Sequence, residues 1–509
     1  MNIKSLFKTV LLITIFSVIT RVAGFIFRIY LSREIGAESL GLYQIAFSIF
    51  IVLVTIICSG LPLTVSRLTA KYETLKEHNA KNRMITSSLI IGGLSSLVLC
   101  LVIFIFNNLL NFIFADSRCI LILLTLLPAV VFSSVYSVIR GVMWGQNNYL
   151  VVCVIELLEQ IVRIIVCVFA LSFMFFAVDG SIVASVSLSI ATLVSSLVIC
   201  IYYFKKGGKL EKPKGEHKEL LKTSLPITGI RVVSSLIQPV IAILIPIGLM
   251  SAGYTNGDAV ALYGIAMGMA FPLLFLPTTI VDSLAIALIP DLASALACNN
   301  YNYINNRIKT SITFSFYIAC LCVPIFMGLG VPICQFLFEN TQSGLFLRDS
   351  AIIMIPLALN GISATILNSL NLERKSFINY IIGSIFLILS ILFLPKHIGI
   401  NSIIIGMGLS TLITTTLNLI ELKKQGKLSN EIWKPICLLI VMIIPTTFLN
   451  CNLYEILSIF VPQIVNIILC GIVSVAFYAL LCEIFNIVKI KQLFSSIKIA
   501  KHKKKAVKV

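Results

Sequence analysis

The ionisable residues inside otherwise apolar runs include Arg21, Arg28, Glu156, Glu159, Arg163, Arg231 and Asp282. An ionisable side chain in such a run is expensive, and it faces a cavity or a charged partner. Arg21 and Arg28 are seven apart with Gly24 between them, which puts both on one helical face. Glu156, Glu159 and Arg163 are spaced by three and four, on one face of a second helix, with Glu159 in the favourable position ahead of Arg163. No acid lies in the runs of Arg21 and Arg231 to neutralise them. At about 1.5 Å per residue, Arg21, Arg163 and Arg231 reach depths of roughly 22, 20 and 15 Å, near one level of the bilayer. A guanidinium stays charged and offers a fork of donors that matches phosphate oxygens. The chemistry suits an anionic ligand, such as a pyrophosphate headgroup crossing a membrane while its lipid tail remains there. The plainer readings are that Arg28 snorkels to the interface, that Glu159 and Arg163 form a pair within their own helix, and that Asp282 caps a kink.

The elements that position these residues follow from composition. Of 509 residues, 58% are hydrophobic and 12% charged, with a mean hydropathy of +1.03. Soluble domains carry roughly 25% charged residues. Apolar runs of about 20 residues recur along the chain, each long enough to span a bilayer, and the ten-residue alternation of a membrane barrel is missing. The expected fold is an all-α integral membrane protein of about fourteen transmembrane helices, from 6–31 to 456–485.

The net charge of +18 reflects topology rather than nucleic-acid binding. With the N-terminus in the cytoplasm, 31 of the 39 Lys and Arg residues fall on the inner side and 4 on the outer side. That asymmetry places both termini inside and the chain in the cell membrane. Residues 1–204 are read as an N-terminal lobe of six helices, 205–220 as a basic cytoplasmic linker and 221–420 as a second six-helix lobe. Residues 421–485 add two helices, and 486–509 form a basic tail. The patterns around Tyr43 to Pro62 and Tyr263 to Pro290 resemble each other, as expected of a transporter built from repeated lobes. Pro226, Pro239, Pro246, Pro272, Pro277, Pro324 and Pro332 would kink or hinge the helices of the second lobe. In the tail, Ile490, Leu493, Phe494 and Ile497 recur at helical spacing before six lysines between Lys498 and Lys508. This reads as an interfacial segment for anionic lipids.

Most of the fourteen cysteines sit singly in apolar runs and behave as small apolar residues. The close pair Cys320 and Cys322 has no His or acid beside it, so no metal is expected. A Walker A loop, a His-Glu-x-x-His and a Gly-x-Ser-x-Gly are all missing. With no soluble domain of useful size, neither enzyme activity nor a cofactor is expected.

The stretch Thr20-Arg21-Val-Ala-Gly24-Phe25-Ile-Phe-Arg28, then Gly36-Ala37-Glu38 and Gly41-Leu42-Tyr43-Gln44-Ile-Ala46, resembles the stage V sporulation protein B family. Ser59-Gly60-Leu-Pro62 with Ser66, Glu159-Gln160-Ile-Val-Arg163 and Ala287-Leu288-Ile-Pro290 extend the resemblance. That family belongs to the multidrug/oligosaccharidyl-lipid/polysaccharide exporter superfamily. The resemblance implies a two-lobed flippase with a V-shaped cavity and an undecaprenyl-pyrophosphate-linked saccharide as substrate, for instance a peptidoglycan precursor for spore cortex. It also implies that Arg21 lines the cavity, while Arg28 is displaced by one residue from the second arginine of such relatives. Two other readings remain open: a cation-coupled multidrug exporter using Glu156 and Glu159, and a non-transporting scaffold whose partners are cell-wall synthases.

Overall fold

The computed structural model describes residues 3–112, 114–174, 179–215, 217–425 and 433–485. The basic tail expected to meet anionic lipid lies outside these residues. Among the described residues the chain is helical throughout, without strands.

In the first half of the chain the helices are α1 (Ile3–Cys58), α2 (Leu61–Thr74), α3 (His78–Ile105), α4 (Arg118–Gly145), α5 (Tyr149–Met174), α6 (Gly180–Lys205), α7 (His217–Ser235), α8 (Ile237–Ser251) and α9 (Asn256–Tyr263). A π-helical stretch over Gly264–Ala270 leads to α10 (Phe271–Phe275) and α11 (Thr278–Ala297). There follow α12 (Tyr301–Phe338), α13 (Thr341–Ser350), α14 (Met354–Ser369), α15 (Glu373–Phe393), α16 (Pro395–Ile398), α17 (Asn401–Lys424), α18 (Trp433–Val441), α19 (Ile443–Leu457) and α20 (Gln463–Ile484).

Twelve helical segments among the described residues are long and apolar enough to cross a membrane. The first, Ile15–Thr74, has 60 residues, about 90 Å at 1.5 Å per residue against a hydrocarbon core of about 30 Å. It is therefore two crossings, joined where Gly36 breaks α1 with φ 76 and ψ 176, a conformation essentially confined to glycine. The 26 residues of α5 also match a bilayer in length, but its three charges set it apart from the apolar twelve. Dividing the first segment and adding α5 gives fourteen crossings by length.

Several boundaries differ from the sequence reading. α4 does not stop at 139 but runs to Gly145, so Arg140 belongs to a helix and not to a loop. The run at 260–289 is broken by the π-helical stretch, and Pro277 caps α11. Pro462 caps α20, so the last crossing begins at Gln463 rather than 456. α18 and α19 are separated at Met442, three residues ahead of Pro445.

The chain divides into two compact units, residues 1–264 and 265–509. In the first, α4 packs on α6, α2, α3 and the second half of α1, while α5 packs on α6 and α1. Small residues allow this closeness: a Cβ on Gly141 would sit 2.6 Å from the Pro62 carbonyl oxygen, and one on Gly145 equally close to that of Ser66. α9 lies against α1 just beyond the Gly36 break, where a Cβ on Gly41 would meet the Val260 carbonyl at 2.2 Å. A polar network secures this junction. The buried Asp116 carboxylate accepts from the Arg118 backbone N–H (2.8 Å), the Arg118 guanidinium (2.8 and 3.1 Å) and Asn256 Nδ2 (3.0 Å). Arg118 also donates to Glu38. The start of the linker is clipped to α3, with Asn82 donating to Glu211 (3.0 Å) and the Glu211 N–H donating to Thr86 Oγ1 (3.1 Å).

In the second unit α12 packs against α11, α13, α14, α19 and α20. Its glue is polar, as expected where lipid removes the hydrophobic drive between helices. Asn450 donates to the Pro324 carbonyl, and Tyr478 to that of Leu439. Asn418 links α17 to α14 through Ser363 (3.1 Å) and to α15 through Asn379 (2.9 Å).

Candidate functional site

The first unit encloses a polar cavity of about 350 Å³. Four helices supply its walls: α1 (Thr20, Val54, Cys58), α4 (Tyr136, Ser137, Arg140), α5 (Glu156, Glu159, Gln160, Arg163) and α6 (Thr192, Ser195). The residue spacing explains why these groups converge. Tyr136, Arg140 and Trp144 recur every four residues on α4, and Glu156, Gln160 and Arg163 recur at four and three on α5, so each set forms one stripe. α1 approaches the α5 stripe at Gly24, where a Cβ would lie at an ordinary 3.8 Å from Gln160 Nε2.

Two guanidinium groups dominate the site. Arg140 lies between two aromatic faces, 4.8 Å from the Trp144 ring centre and 5.6 Å from that of Tyr136, and pairs with Glu156 at 3.5 Å. Arg163 stands over the Phe27 ring at 5.0 Å and donates from Nη2 to the Tyr43 hydroxyl at 2.6 Å. Each arginine keeps one buried donor, Nε, without a hydrogen-bond partner among the described residues. Gln160 Nε2 and the Tyr136 hydroxyl are orphaned in the same way. Buried polar groups are normally satisfied, so a cluster of orphaned donors around one cavity is a site short of acceptors.

Of the ionisable residues singled out in the sequence, Glu156, Glu159 and Arg163 line the cavity together. Arg28 is half-buried and lies within electrostatic reach of Arg163 and Tyr43. Arg21 is exposed; its neighbour Thr20 is the residue that lines the cavity. Arg231 on α7 is exposed and reaches the Ser59 carbonyl at 3.5 Å, one residue from cavity-lining Cys58. Asp282 on α11 is exposed. The sequence reading missed Arg140, Tyr136, Gln160 and Tyr43. Four-residue spacing from Tyr136 to Trp144 was the available signal for Arg140. Tyr43 and Gln160 carry no charge, and their only signal was their place in the motifs that carry the family resemblance.

Helices of bilayer length throughout the described residues, with a charged cavity in the first unit, define a class: the multi-span helical membrane protein. The chain belongs to the polysaccharide biosynthesis protein family, whose model matches residues 6–296. It is similar to stage V sporulation protein B of Bacillus subtilis (strain 168), 25% identical over 502 residues and 96% of each chain. It is also similar to lipid II flippase MurJ of the same organism, 20% identical over 84% of each. Among solved structures, lipid II flippase MurJ in an inward closed conformation matches with a TM-score of 0.69, at 18% identity, over 93% of this chain and 98% of that one. An inward-facing multidrug resistance MATE family transporter of the MOP superfamily matches with a TM-score of 0.65, at 16% identity, over 80% and 94%. The fold is that of these two solved structures.

Proposed function

We propose that this protein translocates an undecaprenyl-pyrophosphate-linked saccharide, a peptidoglycan or polysaccharide precursor, by alternating access, with both termini in the cytoplasm. The observation that carries this reading is that Arg140 and Arg163 line one cavity, each with a buried Nε donor that has no hydrogen-bond partner among the described residues. A phosphate oxygen at each would complete the bidentate geometry that guanidinium favours. The names of two relatives agree with it, one a sporulation protein and one a lipid II flippase. Arg28 extends the positive field toward Tyr43, and Gln160 and Tyr136 add neutral donors for phosphate or sugar oxygens.

A second reading, a cation-coupled exporter of amphipathic cations, draws on Glu156 and Glu159 in the same cavity. Binding separates the two. Purified protein in nanodiscs is offered undecaprenyl pyrophosphate and, separately, a lipophilic cation such as tetraphenylphosphonium. The phosphate reading expects saturable binding of the first, weakened by Arg163→Ala, and no competition from the second. Saturable cation binding that Glu156→Gln abolishes, with no binding of the pyrophosphate lipid, would establish the exporter instead.

A further inference from the structure

We propose that the cavity takes up a proton together with its anionic ligand and that the Glu156 carboxyl holds it. This rests on reading the cavity as a phosphate site. The residues lining the cavity set the guanidinium groups of Arg140 and Arg163 against the carboxylates of Glu156 and Glu159, with Arg28 half-buried beyond them near Arg163 and Tyr43. The pairing is local: Arg140 and Glu156 are 3.5 Å apart, and Glu159 lies within electrostatic reach of both lining arginines. A pyrophosphate diester brings two further negative charges. Placed against Arg140 and Arg163, it stands beside the Glu156 carboxylate, which lies 3.5 Å from Arg140 with its side chain 43% exposed. Like charges so close favour the neutral form of one of them, and the carboxylate is the more basic partner. The reaction is a simple protonation: the carboxylate and a proton from water become the carboxylic acid, whose O–H then donates to a phosphate oxygen.

The other groups facing Glu156 do not replace this step. α4 presents Arg140 and the Tyr136 hydroxyl, α5 presents Cys153 and Glu159, α6 presents Ser195, and α1 presents the Cys58 thiol across the cavity. Among these only Arg140 is a cation, and it is the group the ligand engages. Glu159 differs from Glu156 in having no guanidinium within ion-pair distance among the described residues, so ligand binding takes less away from it.

The test uses the full chain in nanodiscs and an undecaprenyl-pyrophosphate-linked disaccharide, a pyrophosphate diester that does not itself titrate near neutral pH, as the probe. Calorimetric titrations in two buffers of different ionisation enthalpy count protons exchanged on binding. The wild type is expected to take up about one proton per ligand near neutral pH, with affinity falling up to about tenfold per pH unit on the alkaline side. Glu156→Gln should remove the uptake and flatten the pH dependence; Glu159→Gln should keep both. Ligand binding by the wild type without proton exchange overturns the proposal and leaves the phosphate reading intact. Uptake that survives Glu156→Gln and disappears in Glu159→Gln overturns the assignment. If the pyrophosphate-linked disaccharide does not bind, the phosphate reading fails and takes the coupling with it. Should Glu156→Gln fail to insert, the wild-type proton count and pH slope still decide whether binding is proton-linked, and Glu156→Asp, which keeps a titratable carboxyl, should retain both.

Discussion

At the scale of single residues, the site is held by contacts that leave part of each arginine free. Tyr43 accepts one N–H of Arg163, and Phe27 supports the guanidinium plane, so the remaining edge is oriented before any ligand arrives. Truncating one member of a buried charge-assisted pair costs about 2–5 kcal/mol. Arg163→Ala should therefore weaken binding of the pyrophosphate lipid by at least about 30-fold, at 1.4 kcal/mol per tenfold. Tyr43→Phe should cost less, about tenfold, because it removes only the orienting hydrogen bond. Equilibrium binding in nanodiscs checks both, and equal losses for the two variants would mean that Tyr43 itself contacts the ligand. The spacing of Glu156, Glu159 and Arg163 made their common face legible in the sequence, because three and four residues return to one side of a helix. Arg140 was hidden by its position. It lies just past an apolar run, where a basic residue ordinarily marks the cytoplasmic end, yet α4 carries it inward over the next turn. Arg21 is exposed; a charge inside an apolar run demands a partner, but the sequence does not say which side of the helix finds one.

At the scale of elements, close packing and one polar junction fix the helices around the cavity. Gly24 and Gly41 lie on the same helix but differ sharply. A Cβ at Gly24 meets Gln160 at ordinary contact distance, whereas one at Gly41 meets the Val260 carbonyl at 2.2 Å. Gly24→Ala should leave thermal stability within about 0.5 kcal/mol of wild type, while Gly41→Ala should lower it by about 1–3 kcal/mol, the range for overpacking. Thermal unfolding in detergent distinguishes them. The Asp116 junction adds a pH prediction. Burial alone raises that carboxyl, but hydrogen bonds and charge from Arg118, with Asn256, outweigh it and hold it below its ordinary value of 3.8. A depressed carboxyl contributes stability above its unfolded value and loses it as pH falls through the lower folded value. The difference in stability between wild type and Asp116→Asn should therefore be constant at neutral pH and shrink only below about pH 4. The long helices were legible as apolar runs. Their breaks were less so: Pro277 and Pro462 cap helices as proline's missing N–H allows, but the π-helical stretch at Gly264–Ala270 has no proline within it, and its glycines alone did not announce it.

At the scale of the molecule, the charge asymmetry between loops predicts the topology, and the structure indicates where to probe it. In a chain stripped of its fourteen cysteines, single cysteines at exposed Tyr254 and Gln342 should react with an impermeant thiol reagent added outside intact cells. A cysteine at exposed Lys212 should react only after permeabilisation; outside labelling there would break the fourteen-crossing count. The central claim is that the cavity of the first unit carries a pyrophosphate-linked lipid across the bilayer, and translocation measures it most directly. Wild-type protein and the Arg163→Ala and Arg163→Lys variants are reconstituted into liposomes at matched, verified insertion, and the appearance of a labelled undecaprenyl-pyrophosphate disaccharide in the opposite leaflet is followed by an impermeant probe. The account predicts rapid translocation by the wild type, loss to the protein-free rate in Arg163→Ala, and partial activity in Arg163→Lys, whose ammonium cannot reproduce the bidentate fork. Translocation by Arg163→Ala at the wild-type rate would contradict it.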